Sequence, residues 1–428
     1  MNAPANGQTK GMRIILIALL FFGTALAYLD RQVLSLLKPT LVSLFQWNDQ
    51  DFAHLGSAFS LATACAILFA GWFVDRFGVR RSYTLAVGLW SLAGMAHALA
   101  STVQQFVAVR ILLAVTESVN GPAAVKAAAQ YLPVSTRSVG LGFITAATSI
   151  GAILAPLAIP PLALAFGWQS AFLVTGALGF IWIIAWWCGT RQLAPAARPA
   201  AIDEPVQMNW GEILRDRRTW AIVGAKIIAD WVFWFVLFWV PDLFNKVFHL
   251  SQAELGGPIA LTYAMAAVGA LSGGVLFPVL LRAGCSMNRA RKLALLCFAL
   301  LILPLPLALQ VSSPWAGAAL IGLAMFAHNG FATNIFGITA DVVPLARVGS
   351  VMALGSVASN LSGVTMIEFA GWSLTHGHGY WPMLAMASVA YLLAVAWIHA
   401  VLPVIRPTHD EPAAIMGHGP QRQQANVR

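Results

Sequence analysis

Seven charged side chains fall within stretches of sequence that are otherwise apolar: Asp30, Arg31, Arg110, Glu117, Lys126, Lys226 and Asp230. A charge in apolar surroundings must be paired or must face a polar space. Arg31 offers a planar fork of N–H donors that fits a carboxylate through two parallel hydrogen bonds. Asp30 and Glu117 can carry protons, because burial favours a neutral carboxyl and a nearby guanidinium favours an ionised one. Arg110 and Glu117 are seven residues apart, so on a helix they share a face. Lys226 and Asp230, four apart, share one too. Arg110 is expected to pair with Asp30 at a similar depth, which leaves Glu117 pointing to the centre. The competing reading is permanent ion pairs that only tie helices together. For Lys226 and Asp230, a second anion contact and a purely structural pair both stand.

The elements that must hold these groups are long apolar helices. Of 428 residues, 59% are hydrophobic and only 10% charged, and the mean hydropathy is +0.75. A typical soluble protein carries about 25% charge, so neither a soluble enzyme nor a disordered chain fits. Apolar runs recur at roughly 13–35, 53–74, 82–101, 104–130, 139–163, 168–190, 218–241, 256–281, 292–310, 314–340, 347–371 and 380–404, enough for twelve membrane spans. The first lacks a small-residue cleavage site, so it is expected to stay as a span. With the N-terminus in the cytoplasm, 19 of the 25 Lys and Arg lie on the inner side, and only Lys38 and Lys246 lie in outer loops. The net charge of +9 is therefore topological, and no nucleic-acid partner is expected. Both termini are expected in the cytoplasm, with the chain in the inner membrane.

The fold class is thus all-α membrane protein. The expected organisation is a six-helix bundle over 1–190, a cytoplasmic linker over 191–217, a second six-helix bundle over 218–404 and a tail over 405–428. The halves read as weak repeats. Pro133 to Gly140, with Arg137, is echoed by Pro344 to Gly349, with Arg347, and Gly167-Trp168 by Gly379-Tyr380. Paired halves suit a carrier that rocks about a central site. Cys65, Cys188, Cys285 and Cys297 show no metal-ligand or redox spacing and are expected to be small packing residues, with no metal site.

Between spans 2 and 3 stand Gly71, Asp75, Arg76, Gly78, Arg80 and Arg81. This run resembles the signature loop of the major facilitator superfamily. Gly71 and Gly78 would allow close packing and a tight turn, and Asp75 would accept from a neighbouring helix N-terminus. The second-half counterpart, from Gly273 to Lys292, is degenerate. Within the superfamily the chain resembles the anion:cation symporters of the hexuronate branch. The resemblance rests on Tyr28-Leu29-Asp30-Arg31 with Lys38-Pro39, on Arg110, Glu117, Asn120, Pro122 and Lys126, on Lys226, Asp230 and Trp234, and on His328, Thr333, Asn334 and Asp341.

The resemblance implies proton-coupled uptake of an organic carboxylate, sugar acid first, by alternating access. The sequence has no His-Glu-x-x-His or Gly-x-Ser-x-Gly motif, and no enzyme activity is expected. Substrate contacts would come from Arg31, Tyr28, Lys226, Trp234, Asn334, Asn360, Thr63 and Thr145, and proton coupling from Asp30, Glu117 and Arg110. Protons would be the coupling ion, with no other cofactor, and a monomer in the lipid bilayer is expected. Lys126 could instead snorkel, Asn334 and Asn360 could bond between helices, and His328 could be a satisfied core residue. Ala27, Ser60, Thr63, Thr145 and Ser149 are smaller or less polar than that branch's usual pattern. A bulkier or less hydroxylated carboxylate is therefore the first alternative and a drug or organic-anion exporter the second.

Overall fold

The computed structural model describes residues 10–406 except 133, 192 and 194–209. Most of the expected linker, the tail beyond 406 and most side chains of the Pro133–Gly140 repeat lie outside the described residues. Sixteen helices follow in chain order among those described. They are α1 (Lys10–Leu36), α2 (Lys38–Phe45), α3 (Asp49–Phe77), α4 (Val79–Ala96), α5 (Val103–Glu117), α6 (Asn120–Tyr131), α7 (Val134–Phe166) and α8 (Trp168–Thr190). A short α9 (Trp210–Arg215) precedes α10 (Arg217–Ala229), α11 (Trp231–Phe248), α12 (Gly256–Arg282), α13 (Met287–Ile302), α14 (Pro314–Val342), α15 (Leu345–Thr375) and α16 (Trp381–Val401).

Among the described residues, eleven helices or end-to-end helix pairs are long and apolar enough to cross a membrane. The twelfth crossing is α4, an 18-residue helix that opens on Val79-Arg80-Arg81-Ser82 and runs into a short 3₁₀ turn over His97–Leu99. It packs against α8 and α5 as the expected third span. Span 4 is α5 followed by α6. Pro122 has no N–H to offer the carbonyl of Ser118, which accounts for the interruption there. Span 7 is α10 followed by α11. The backbone turns at Asp230 (φ −76°, ψ 1°), yet Asp230 N–H still bonds Lys226 O and Trp234 N–H still bonds Asp230 O.

Small residues let the helices approach closely. A Cβ at Gly151 of α7 would stand 2.3 Å from Ala25 O of α1, and one at Gly269 of α12 would stand 2.1 Å from Phe326 O of α14. At Gly78 the backbone between α3 and α4 takes φ +78°, so glycine is required for the turn. Gly71 departs from expectation, because a Cβ there would meet nothing within 4 Å. Asp75 also departs: it receives Lys126 Nζ, which also donates to Val74 O at 3.3 Å. Lys126 therefore ties α6 to the end of α3. The cysteines are not core packing groups, since Cys65, Cys188 and Cys297 are exposed on the outer surface of the helices and Cys285 is half-exposed.

Helices of the first six crossings and of the last six meet chiefly through α3 with α15 and α7 with α12. At the face opposite residues 10 and 406, polar groups join the two sets. Lys38 Nζ lies 2.7 Å from Asp49 and 2.8 Å from Asp242, and Lys246 Nζ lies 2.7 Å from Asp49 and 3.3 Å from Asp242. Tyr380 donates to Asp242. Lys38 is fully buried, 4.2 Å from the Trp239 ring centre and 5.0 Å from that of Phe52. Burial pushes its ammonium below the usual lysine range, against the pull of Asp242 and Asp49. On the same face Glu368 of α15 accepts from Gln50 and Ser57 of α3 and lies 3.0 Å from His54 Nδ1. Among the described residues, no such ion pair joins the two sets at the terminus-bearing face.

Candidate functional site

A cavity of about 500 Å³ lies between the two sets of helices. Its lining runs from Arg31 and Glu117 past Gly121 and Val125 of α6, Thr145 of α7 and Phe336 of α14. It thus extends from mid-span toward the terminus-bearing face and is closed opposite by the Lys38–Asp242 network. A second hollow, against Phe69, Trp72 and Ile111 on the outer surface of α3 to α5, is almost wholly hydrocarbon and offers no charge to an anion.

Arg31 and Glu117 meet in the cavity wall. Arg31 Nε donates to Glu117 Oε2 at 2.7 Å, and the guanidinium lies 5.0 Å from the Tyr28 ring centre. Glu117 is buried, and its Oε1 has no protein partner. Arg31 is half-buried, and its terminal N–H groups bond no acceptor among the described residues. They are the donors a planar anion would use. Helix geometry explains the meeting: Arg31 lies in the C-terminal half of α1 and Glu117 at the end of α5, where the chain turns into α6.

The expected pairing of Arg110 with Asp30 is not what the structure holds. All three Arg110 nitrogens are buried without a hydrogen-bond partner, and its guanidinium lies 4.4 Å from the Phe59 ring centre and 5.9 Å from that of Phe238. Asp30 is buried beside Thr175, with Oδ1 unpartnered. Neither lines the cavity. A seven-residue spacing puts Arg110 on the face of Glu117, but it does not fix which neighbouring helix that face meets.

The second set of helices supplies its own ion pair. Lys226 Nζ stands 2.8 Å from Asp230 Oδ2, and both line the cavity. Ser359 and His328 border Asp230. His328 Nδ1 is 2.6 Å from Tyr391 Oη, and its ring stacks on Phe233, so it is satisfied and still faces the cavity. Tyr28, Thr63, Thr145, Trp234 and Asn360 line the cavity as well. Asn360 donates to Ser356 O at 2.8 Å and keeps a buried, unpartnered Oδ1.

Asn334 is the exception. It is buried and donates to Gly330 O and Gly273 O, so it fastens α14 to α12 and does not reach the cavity. Asn329, one face over, takes the lining position instead. Ser356 and Ser359 were missed too. With Asn360 they stand at i, i+3 and i+4, a polar stripe that marks a cavity-facing side of span 11. In the signature loop, Arg80 donates to Trp187 O at 3.0 Å and lies over the Trp187 ring, while Arg76 is exposed. Among the described residues no cluster could hold a metal ion.

Comparison with known proteins agrees with this architecture. The sequence profile described as Major Facilitator Superfamily matches residues 20–327. The hexuronate transporter of Escherichia coli (strain K12) is 26% identical, over 95% of this chain and 99% of its own length. The D-galactonate transporter of Escherichia coli O6:H1 is also 26% identical, over 95% of this chain and all of its own. Among solved structures, a bacterial homologue of the human lysosomal transporter Spinster, inward-facing and occupied, superposes with a TM-score of 0.77 at 17% identity, covering 93% of this chain and 98% of that one. The D-xylose-proton symporter gives a TM-score of 0.69 at 16% identity, covering 89% and 97%. A chain of twelve crossings around a central, partly charged cavity, matched by that profile over most of its length, belongs to the Major Facilitator Superfamily and is similar within it to the transporters named for hexuronate and D-galactonate.

Proposed function

We propose that this membrane carrier takes up a sugar acid together with protons, by alternating access across the cytoplasmic membrane, with both termini inside. The observation that carries the reading is the Arg31–Glu117 pair in the cavity wall at 2.7 Å, with unclaimed guanidinium N–H groups beside it. A carboxylate and Glu117 compete for the same guanidinium. Protonating Glu117 weakens its hold on Arg31 and lets a carboxylate take its place. By linkage, bound carboxylate favours the protonated acid to the same extent. Asp30, buried one residue away, is the second proton carrier.

The relatives named for hexuronate and D-galactonate support a sugar acid as the cargo. So does the polar stripe of Ser356, Ser359 and Asn360, with Asn329 also in the lining, which offers partners to hydroxyl groups. The small Thr63 and Thr145 leave room for a bulkier acid, which competition would reveal. The test is purified protein in liposomes with an inward acid gradient. D-galacturonate or D-galactonate should accumulate, and a protonophore should abolish the accumulation. Accumulation that ignores the gradient overturns proton coupling, and concentration of neutral or cationic compounds overturns the anion reading.

A further inference from the structure

The four charged residues that line the cavity, among those described, are Arg31, Glu117, Lys226 and Asp230, two cations and two carboxylates. They form two separate pairs, each between a cation and an acid at 2.7 and 2.8 Å. The pairs differ in what surrounds them. Glu117 has an unpartnered oxygen and a single side-chain donor, Arg31. Asp230 is held by Lys226 and bordered by Ser359 and His328, and it caps the turn between α10 and α11. Arg110, the other buried cation nearby, sits behind Phe59 outside the lining.

From this contrast we infer that the Lys226–Asp230 pair is a specificity element, which admits acids with one carboxylate and an uncharged hydroxylated far end and rejects acids with a carboxylate at both ends. This deepens the sugar-acid reading and rests on it. One carboxylate at Arg31 is balanced when Glu117 takes a proton. A second would bring a negative charge into a space whose other lining cation is already neutralised by Asp230. The pair still serves a hydroxyl well. Lys226 donates and Asp230 accepts, with Ser359 and Asn360 beside them in the lining. Asp230 thus stops Lys226 from acting as a second anion anchor.

D-galactonate and galactarate make a matched pair of probes, since they differ only in CH₂OH or carboxylate at the far carbon. Binding is read on the purified full chain at neutral pH by calorimetry. The wild type should bind galactonate more than about tenfold tighter than galactarate, as expected for an uncompensated charge in such a site. Asp230→Asn keeps the shape and frees the ammonium, so the ratio should fall by about tenfold or invert. Lys226→Gln should raise it. Equal binding of the two acids by the wild type overturns the inference while leaving the transport reading intact. So does an unchanged ratio in an Asp230→Asn protein that still binds galactonate. If neither acid binds, the sugar-acid reading falls and the inference with it. Should Asp230→Asn not fold, the wild-type ratio alone decides.

Discussion

At the scale of the residue, the guanidinium of Arg31 has two roles: it neutralises Glu117 through Nε and presents its remaining donors to the cavity. Arg31→Lys keeps the charge but loses the fork, so uptake should drop by about 10- to 100-fold, the equivalent of roughly 1.4–3 kcal/mol. Wild-type uptake by that variant would remove the carboxylate anchor. Glu117→Gln imitates the protonated acid. It should still bind and exchange substrate across the membrane yet fail to concentrate it under an acid gradient, and undiminished accumulation would take Glu117 out of the coupling. These two residues were legible in the sequence because an ionised group in an apolar run has few places to go. Arg110 was legible as buried but not as unpaired: its partner was expected on α1, and it rests on the rings of Phe59 and Phe238 instead. Asn334 failed for a related reason. A mid-span amide announces a hydrogen bond, but a helix can turn it either to the cavity or to a neighbour, and here Gly273 and Gly330 take it.

At the scale of the element, hydropathy runs and loop charge gave all twelve crossings with their order, since a bilayer leaves the backbone little choice but helix. Contacts between distant helices were not legible, because nothing in the spacing of Asp75 tells it that Lys126, 51 residues on, will reach it. The glycines divide sharply by surroundings. Gly151→Leu should drive its side chain into Ala25 O, separate α7 from α1 and cost about 1–3 kcal/mol, seen as a lowered melting temperature of the detergent-solubilised protein. Gly71→Ala meets open space and should change stability by less than about 0.5 kcal/mol in the same assay. An equal loss in both would contradict the packing described.

At the scale of the whole molecule, the two sets of helices are clasped at the face opposite residues 10 and 406. Lys38 is the centre of the clasp, buried between two carboxylates and two aromatic rings. Lys38→Met leaves Asp49 with Lys246 and Asp242 with Lys246 and the Tyr380 hydroxyl, and breaking such a buried pair costs about 3–5 kcal/mol. The closed face should then open. Spin labels at Gln46 and His249, one on each set of helices, should show a longer mean separation in this variant. An unchanged distance distribution would show that something else holds the face shut. The clasp also bears on speed. In the proposed cycle a vacant carrier must undo these bonds to turn around, with no passenger to stabilise it midway, so its homeward stroke is expected to be the slow one. Vesicles preloaded with unlabelled acid should therefore fill with labelled acid faster than empty vesicles do, and the lag should shrink when Lys38 is replaced.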